Sequence, residues 1–374
     1  MKIIKNKNVL ISGASIAGLS TAYWMHRLGY NVIVVEIASE PRTAGAAIDI
    51  KDDAIDAIKR MGIFEQLKAN RLHVDLIEFK NSGDVTEGSI LLHNQDAAFP
   101  DNEIEIERDK FIGVLFDMLK NDVAFIFNNS ITALNETSEN ITATFKDGSQ
   151  RSFDLVLGCD GMHSGMRKIW FGEEGQYTHF LQAYFSITIV NKLLIKQKTM
   201  QMYNVPDKAI TLNAYNNKTD IIFCFFSEKE ISYDYRNTEQ QRNIMLDKFS
   251  GQGWRSPELL EEVTHSKNFY FDKFCQIKMS SWTKGRVALI GDAGYCASPA
   301  AGMGGSLSII GATTLADALQ KQDDNFELAF EEYNKNLRPF IEEIQTIAES
   351  NIKENFIPRT EEAIHKRNTE TRAF

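Results

Sequence analysis

Cysteine is scarce in this chain, and the four present, Cys159, Cys224, Cys275 and Cys296, form no CxxC pair and stand beside no histidine cluster. That argues against a disulfide framework and against a zinc or other metal site, and it fits free thiols in a reducing cytosol, so a cytoplasmic protein is expected. Long apolar runs are missing as well, and no segment approaches membrane-spanning length. There is no basic excess: the formal net charge is −10, which makes nucleic acid a poor partner. Internal repeats, low-complexity linkers and a Ser–His–Asp or paired-carboxylate constellation are not evident either. What is there is an ordinary globular composition, 43% hydrophobic and 25% charged, in 374 residues that can bury a large core in two domains.

Residues Lys7 to Glu36 read as one βαβ unit. Val9-Leu10-Ile11-Ser12 is a short apolar strand, Gly13-Ala14-Ser15-Ile16-Ala17-Gly18 the turn, and Leu19 to Leu28 a helical pattern that stops at Gly29. Asn31 to Val35 is a second buried strand with Glu36 at its end. The first glycine of such a turn permits the sharp reversal and the last lets helix and strand pack closely. The helix N-terminus offers its N–H groups to a pyrophosphate, and the terminal acid takes ribose hydroxyls. Here Ser15 replaces the middle glycine and Ala17 precedes the last one, which narrows the approach without closing it. A Gly-rich turn with no ligand is the plain alternative. Lys2, Lys5 and Lys7 ahead of the apolar run also resemble a secretory signal, but the strand and Glu36 that follow favour the βαβ unit. An acid at position 36 repels a 2′-phosphate, so the site suits FAD and not NADPH.

A second turn makes that signal specific. The apolar strand Arg286 to Ile290 ends in Gly291-Asp292-Ala293-Gly294-Tyr295-Cys296-Ala297-Ser298-Pro299, then Gly302-Met303-Gly304-Gly305, before a helical pattern from Leu307 to Leu319. A strand ending in Gly-Asp places a carboxylate for sugar-alcohol hydroxyls, and the small residues let backbone approach a flat ligand at a helix N-terminus. For Asp292 and Asp160 the alternative is turn capping. For Arg108 it is a surface ion pair with Glu107 or Asp109. His163 reads more readily as a solvated residue, and Cys296 as a packing residue.

Between these turns, a helix is expected at Asp53 to Met61, ending at Gly62, and short strands at Leu76 to His93. Glu103-Ile104-Glu105-Ile106-Glu107 alternates as a half-buried strand that delivers Arg108, with Asp109 capping a helix over Lys110 to Lys120. Val123 to Phe127, Ile141 to Phe145 and Asp154 to Gly158 read as strands, the last ending in Cys159-Asp160-Gly161. From Tyr177 to Phe226 the period is two, with Phe180, Tyr184, Phe185, Tyr203, Tyr215, Phe223, Phe225 and Phe226, which suggests an inserted antiparallel sheet with about a third of these rings facing a ligand. Phe326 to Phe356 and Glu361 to Thr371 are helical.

The ordered set of GxSxxG with Glu36, Asp160-Gly161 with Arg167, and Gly291-Asp292 resembles the FAD-dependent aromatic hydroxylases, the single-component flavoprotein monooxygenases of the p-hydroxybenzoate hydroxylase type. Within them, Ala22-Tyr23-Trp24, Gly45 with Ala47 to Ile50, Glu105 to Arg108, Gln276 to Met279 and Ser281 to Arg286 are most similar to the tetracycline destructases. Met303 and Ser306 stand where many members have Gln and Asn, and Tyr295 where many have His. The resemblance implies an α/β fold: a discontinuous Rossmann-like FAD-binding domain (1–75, 100–176 and 276–325), an inserted antiparallel β-sheet substrate domain (76–99 and 177–275) and C-terminal helices (326–374). It implies FAD held by Gly13, Ser15, Ala17, Gly18, Glu36, Arg108, Asp160, Asp292, Pro299, Gly302, Gly304 and Gly305, with Pro299, Gly302, Met303 and Gly304 beside the ring. NADPH or NADH would act as transient reductant, and O2 would add to give a C4a-hydroperoxide that hydroxylates an aromatic or polyketide-like small molecule, tetracycline among the candidates. A monomer is expected. A flavin-bound sensor without turnover, or a reductase that does not activate O2, remains the alternative, while a flavin halogenase is disfavoured because no Trp-x-Trp-x-Ile-Pro element occurs.

Overall fold

The computed structural model describes residues 7–41, 45–92, 101–323 and 325–369. Lys2, Lys5, residues 42–44 of the loop after Glu36, His93 with the rest of 93–100, and residues 370–374 lie outside them. The chain divides into two compact units, one of Met1–Arg71, Asn102–His179 and Cys275–Gln345, the other of Leu72–Asp101, Phe180–Phe274 and Thr346–Phe374.

The first unit is built on a six-stranded sheet. From one edge its strands run Thr283–Lys284, Val287–Leu289, Leu155–Gly158, Asn8–Ser12, Asn31–Val35 and Ala124–Ile126. All pairings from Val287–Leu289 onward are parallel, and Thr283–Lys284 closes the edge antiparallel. A parallel sheet covered on both faces selects continuous apolar strands. Val9, Leu10, Ile11, Val156, Leu157, Val287, Ala288 and Leu289 are accordingly fully buried, and each of the larger ones stabilises the fold by about 1.5–3 kcal/mol. The helix Ile16–Arg27 is buried from Ile16 to Met25 and so lacks a polar face. Asp53–Met61 is helical as expected, and Gly62 ends it in the left-handed region at φ 78°.

The strand Glu103–Ile106 points Ile104 and Ile106 inward and pairs antiparallel with Ile48–Lys51. One expectation is corrected here: the following helix starts at Arg108, not at Lys110, and Glu107 holds the cap position with φ −57° and ψ 133°. Asp109 lies inside the first turn, where its carboxylate meets the dipole without acting as the cap. The segment after Ile290 also differs from a plain loop. Asp292–Tyr295 forms a short helix and Pro299–Ala301 a 3₁₀ turn, and the long helix begins at Gly304, three residues before the apolar pattern, and ends at Lys321, two residues after it.

The second unit carries a seven-stranded sheet in the order Phe269–Ile277, Thr178–Val190, Lys218–Phe226, Lys208–Tyr215, Thr199–Val205, Leu76–Lys80 and Thr86–Leu91. Its central hairpins are antiparallel, but Thr199–Val205 runs parallel to Leu76–Lys80, so the sheet is mixed. Tyr184, Tyr203, Phe223 and Phe225 point to one face and form a core with Met245 and Phe249 of the helix Thr238–Phe249 and Leu259 of Ser256–His265. Strand aromatics here serve mainly as packing. The last described helix, Glu361–Thr369, is tied down by buried Arg367, which donates to Asn204 Oδ1 at 2.8 Å and to the Asn355 carbonyl at 2.8 Å.

Two glycines carry the nucleotide-side turn. A Cβ on Gly13, at φ 105°, would stand 2.5 Å from the Cys159 carbonyl oxygen, and one on Gly18 would stand 1.8 Å from the Gly13 carbonyl oxygen. Gly18→Ala is therefore expected to cost about 3 kcal/mol or more in urea unfolding without added FAD. Gly113→Ala, in a helix where a Cβ meets nothing within 4 Å, should instead gain about 0.5–1 kcal/mol. Equal midpoints for the two variants would contradict the packing described here.

Candidate functional site

Four adjacent parallel strands end on one edge of the first unit's sheet, and their ends bring together Gly13, Glu36, Asp160 and Asp292. Backbone hydrogen bonds stitch these ends: Gly13 N–H to the Val35 carbonyl at 2.8 Å, Cys159 N–H to Ser12 at 2.8 Å, and Ile290 N–H to Gly158 at 2.9 Å. In open parallel sheets this carboxyl edge is where ligands bind.

At the first strand end, the helix Ile16–Arg27 has no acidic residue in its first turn, so its N–H groups keep their positive end. Ser15 holds the cap position without a capping bond, and its hydroxyl instead accepts from Arg108 Nη2 at 2.7 Å. The strand Glu103–Ile106 thus delivers Arg108 to the turn. Gly45 lies close enough that a Cβ there would be 3.0 Å from Arg108 Cδ. Glu36 is buried, and its two oxygens accept from Ala14 N–H at 2.7 Å and Ala38 N–H at 2.9 Å. A carboxylate has about four acceptor directions, so both oxygens keep one for a ligand hydroxyl.

At the third strand end, Asp160 organises its own turn. Its oxygens accept from Ser164 Oγ at 2.5 Å and Met166 N–H at 2.9 Å, while Ser164 Oγ accepts from Arg167 N–H at 2.9 Å to cap the helix Gly165–Trp170. Arg167 is fully buried and donates through Nη1 to the Ala293 carbonyl at 2.8 Å and through Nη2 to the Met162 carbonyl at 2.5 Å. It therefore joins the Asp160 turn to the Asp292–Tyr295 helix. Burial lowers the Arg167 pKa, and Nε has no partner among the described residues.

At the fourth strand end, Asp292 is half-buried at the start of its short helix. Burial raises its carboxyl, and the Arg108 guanidinium opposes the rise. Gly291 approaches the first helix so closely that a Cβ would sit 3.1 Å from Ala17 Cβ. Tyr295 turns away into the core, its ring tilted 58° to that of Trp282 with centroids 4.7 Å apart, its hydroxyl 3.0 Å from that of Tyr333. Cys296 is a buried thiol whose pKa burial pushes well up, a packing residue. His163 pairs with Glu174 at 2.9 Å.

Beyond Pro299, Ser298 at φ 85° and Gly302 at φ 62° turn the chain into the helix Gly304–Lys321. A non-glycine residue held in the left-handed region marks a turn that the surroundings enforce. Met303 is 3% exposed, so its side chain belongs to the core and only its backbone borders the turn. A Cβ on Gly304 would meet nothing within 4 Å, and the helix has no acid in its first turn. This bare backbone at a helix N-terminus, with Arg108 and the uncapped first helix beside it, suits the flat ring and diphosphate of FAD.

Sequence reasoning passed over two features. The strand Ile48–Lys51 is pinned to the same helix start: Ser306 Oγ donates to the Asp49 carbonyl at 3.0 Å and accepts from Lys51 N–H at 3.0 Å. Only the alternation of Asp49 and Lys51 around Ile50 hinted that two charges share one strand face. The other is a buried amide pair: Gln276 Nε2 donates to the Gln345 carbonyl at 2.6 Å, and Gln345 Nε2 to the Ile277 carbonyl at 3.0 Å and the Cys296 carbonyl at 3.2 Å, backing the loop. Two polar residues 69 positions apart give no local signal.

Comparison with known proteins agrees with this geometry. The FAD binding domain family matches residues 6–344. A flavin-dependent monooxygenase of Legionella longbeachae is 34% identical over 343 residues, covering 90% of this chain and 87% of its own length. The uncharacterized protein Rv1260 of Mycobacterium tuberculosis is 34% identical over 352 residues, 92% of this chain and 94% of that protein. Among solved structures, that of the tetracycline destructase Tet(51) superposes with a TM-score of 0.85 at 32% identity, covering 97% of this chain and 94% of that one. No helix among the described residues is long and apolar enough to cross a membrane. The chain belongs to the FAD binding domain family, among its flavin-dependent monooxygenases.

Proposed function

We propose that this protein is an NADPH- or NADH-consuming monooxygenase that hydroxylates an aromatic or polyketide-like small molecule, with tetracycline the first candidate. The observation that carries the reading is the convergence of four strand ends and two acid-free helix N-termini on the carboxyl edge of one sheet. The tetracycline suggestion rests on the 32% identity to Tet(51) over nearly the whole chain. The first unit holds FAD and the second takes the substrate. Four buried free thiols fit a reducing cytoplasm, and a monomer is part of the same reading.

When bound, FAD reduced by the nicotinamide supplies the oxygen-activating chemistry. The chain's part is to bind, orient and exclude water. Gly13 and Gly18 let the backbone of the first turn pack closely, and the N–H groups beyond Ser15 and Ala17 face the diphosphate, with Arg108 adding a cation. Glu36 offers its remaining acceptor directions to ribose hydroxyls, and Asp292 does so for the ribityl chain. Asp160 acts at one remove, by holding the turn that Arg167 anchors. Pro299, Gly302, Gly304 and Gly305 flank the ring with backbone, and the helix dipole favours negative charge there.

Asp292→Ala should weaken FAD binding at least tenfold, about 1.4 kcal/mol, and give colourless protein after gel filtration. Stoichiometric flavin in the purified variant would contradict the role given to Asp292. Aerobic incubation of the enzyme with FAD, NADPH or NADH, and tetracycline should yield, by mass spectrometry, a product heavier by one oxygen atom that is absent without nicotinamide. Unchanged tetracycline, with oxidation of another phenolic compound, would overturn the substrate and keep the reaction class.

A further inference from the structure

The turn that leads into the helix Gly304–Lys321 has a charged neighbour. Asp49 Oδ2 lies 3.5 Å, and Lys51 Nζ 3.9 Å, from the position a Cβ on Gly302 would occupy. The two side chains are 3.9 Å apart, and Lys51 Nζ also reaches Glu103 Oε1 at 3.6 Å from the adjacent strand, whose register sets Lys51 opposite Glu103 and Asp49 opposite Glu105. The Ser306 hydroxyl fixes the Asp49–Lys51 strand to the helix, and a Cβ on Gly305 would already be 3.4 Å from the Asp49 carbonyl oxygen. This pair therefore keeps a fixed position beside Gly302 to Gly305.

Resting on the assignment of that segment to the flavin ring, we propose that Asp49 is a positioning residue that sets the reduction potential of bound FAD by opposing the field of the neighbouring Lys51 ammonium. Reduction by a hydride adds two electrons and one proton, so the cofactor gains one negative charge, and the nicotinamide leaves oxidised. A cation beside the ring favours that charge, and an ionised carboxylate beside the cation opposes it. A third of the Asp49 side chain remains accessible, yet burial pushes its carboxyl up to about 6, with Lys51 opposing and Glu103 reinforcing the rise. The groups facing it are Lys51 on its own strand, Glu103 and Glu105 on the paired strand, and the neutral Ser306 on the helix.

The sign follows. Below about pH 6 Asp49 is protonated, Lys51 is less opposed and reduced FAD is favoured; above it the carboxylate forms and reduced FAD is disfavoured. Spectroelectrochemical titration of the FAD-loaded protein from pH 5 to pH 9 tests this, with Asp49→Asn, Asp49→Glu and Glu103→Gln. At pH 8, Asp49→Asn should favour reduced over oxidised FAD about tenfold, an upward shift of about 30 mV for a two-electron couple. The wild-type potential should fall with pH more steeply around pH 6 than that of the variant, and the two should converge near pH 5. Asp49→Glu should restore the wild-type profile. Glu103→Gln, at a more exposed position, should move the inflection to lower pH and serves if Asp49→Asn does not fold. Coincident profiles for wild type and Asp49→Asn, or an unmoved inflection in Glu103→Gln, would overturn the proposal while FAD binding stands. A wild-type protein that takes up no FAD would overturn the flavin assignment and the proposal with it.

Discussion

Main-chain atoms of strands far apart in sequence have to approach one another at the carboxyl edge of the parallel sheet, and the rest of the site depends on that approach. Gly13, Gly18 and Cys159 meet where a single Cβ would overlap a carbonyl oxygen. With no Cβ at Gly13 or Gly18, the start of the Ile16–Arg27 helix comes down on the sheet, and its N–H groups face the edge. The same economy recurs at Gly291, against Ala17, and at Gly304, where nothing fills the space beside the backbone. A ligand that lies flat and carries negative charge is recognised by such bare backbone. The glycines thus serve both stability and binding, and neither can be optimised alone.

Charge is handled by a few buried groups and two helix ends. Arg108, at the start of the helix that follows the Glu103–Ile106 strand, bonds Ser15 and sits near enough to Asp292 to restrain the rise that burial imposes on that carboxyl. Arg167 serves the framework: it satisfies two carbonyl oxygens and couples the third strand end to the fourth. Removing it would leave those oxygens without donors in a buried place, at about 1–3 kcal/mol each.

Much of this was legible in the sequence because its signals are local. The GxSxxG turn, the apolar strands and the Gly-Asp turn each announce a strand, a reversal and a helix within about twenty residues. Glu103 to Ile106 was readable for the same reason, by alternation. Long-range features were not. The Gln276–Gln345 pair, the Ser306 link to the Asp49 strand and the parallel pairing of Thr199–Val205 with Leu76–Lys80 join residues whose separation leaves no periodic trace. The residue type of Asp109 suits a cap, but the chain enters the helix two residues before Lys110, at Arg108, with Glu107 in the cap position. Met303, placed beside the ring by its position between glycines, has its side chain buried in the core, which residue type alone does not announce.

The most direct test of the claim that the carboxyl edge holds the cofactor is hydrogen–deuterium exchange of the apoprotein with and without FAD. The account predicts slowed exchange in residues 12–18, 36–38, 158–167 and 290–306, with the helix 238–249 unchanged. Bound FAD that protects none of those four segments, or protects 238–249 in their place, would contradict it.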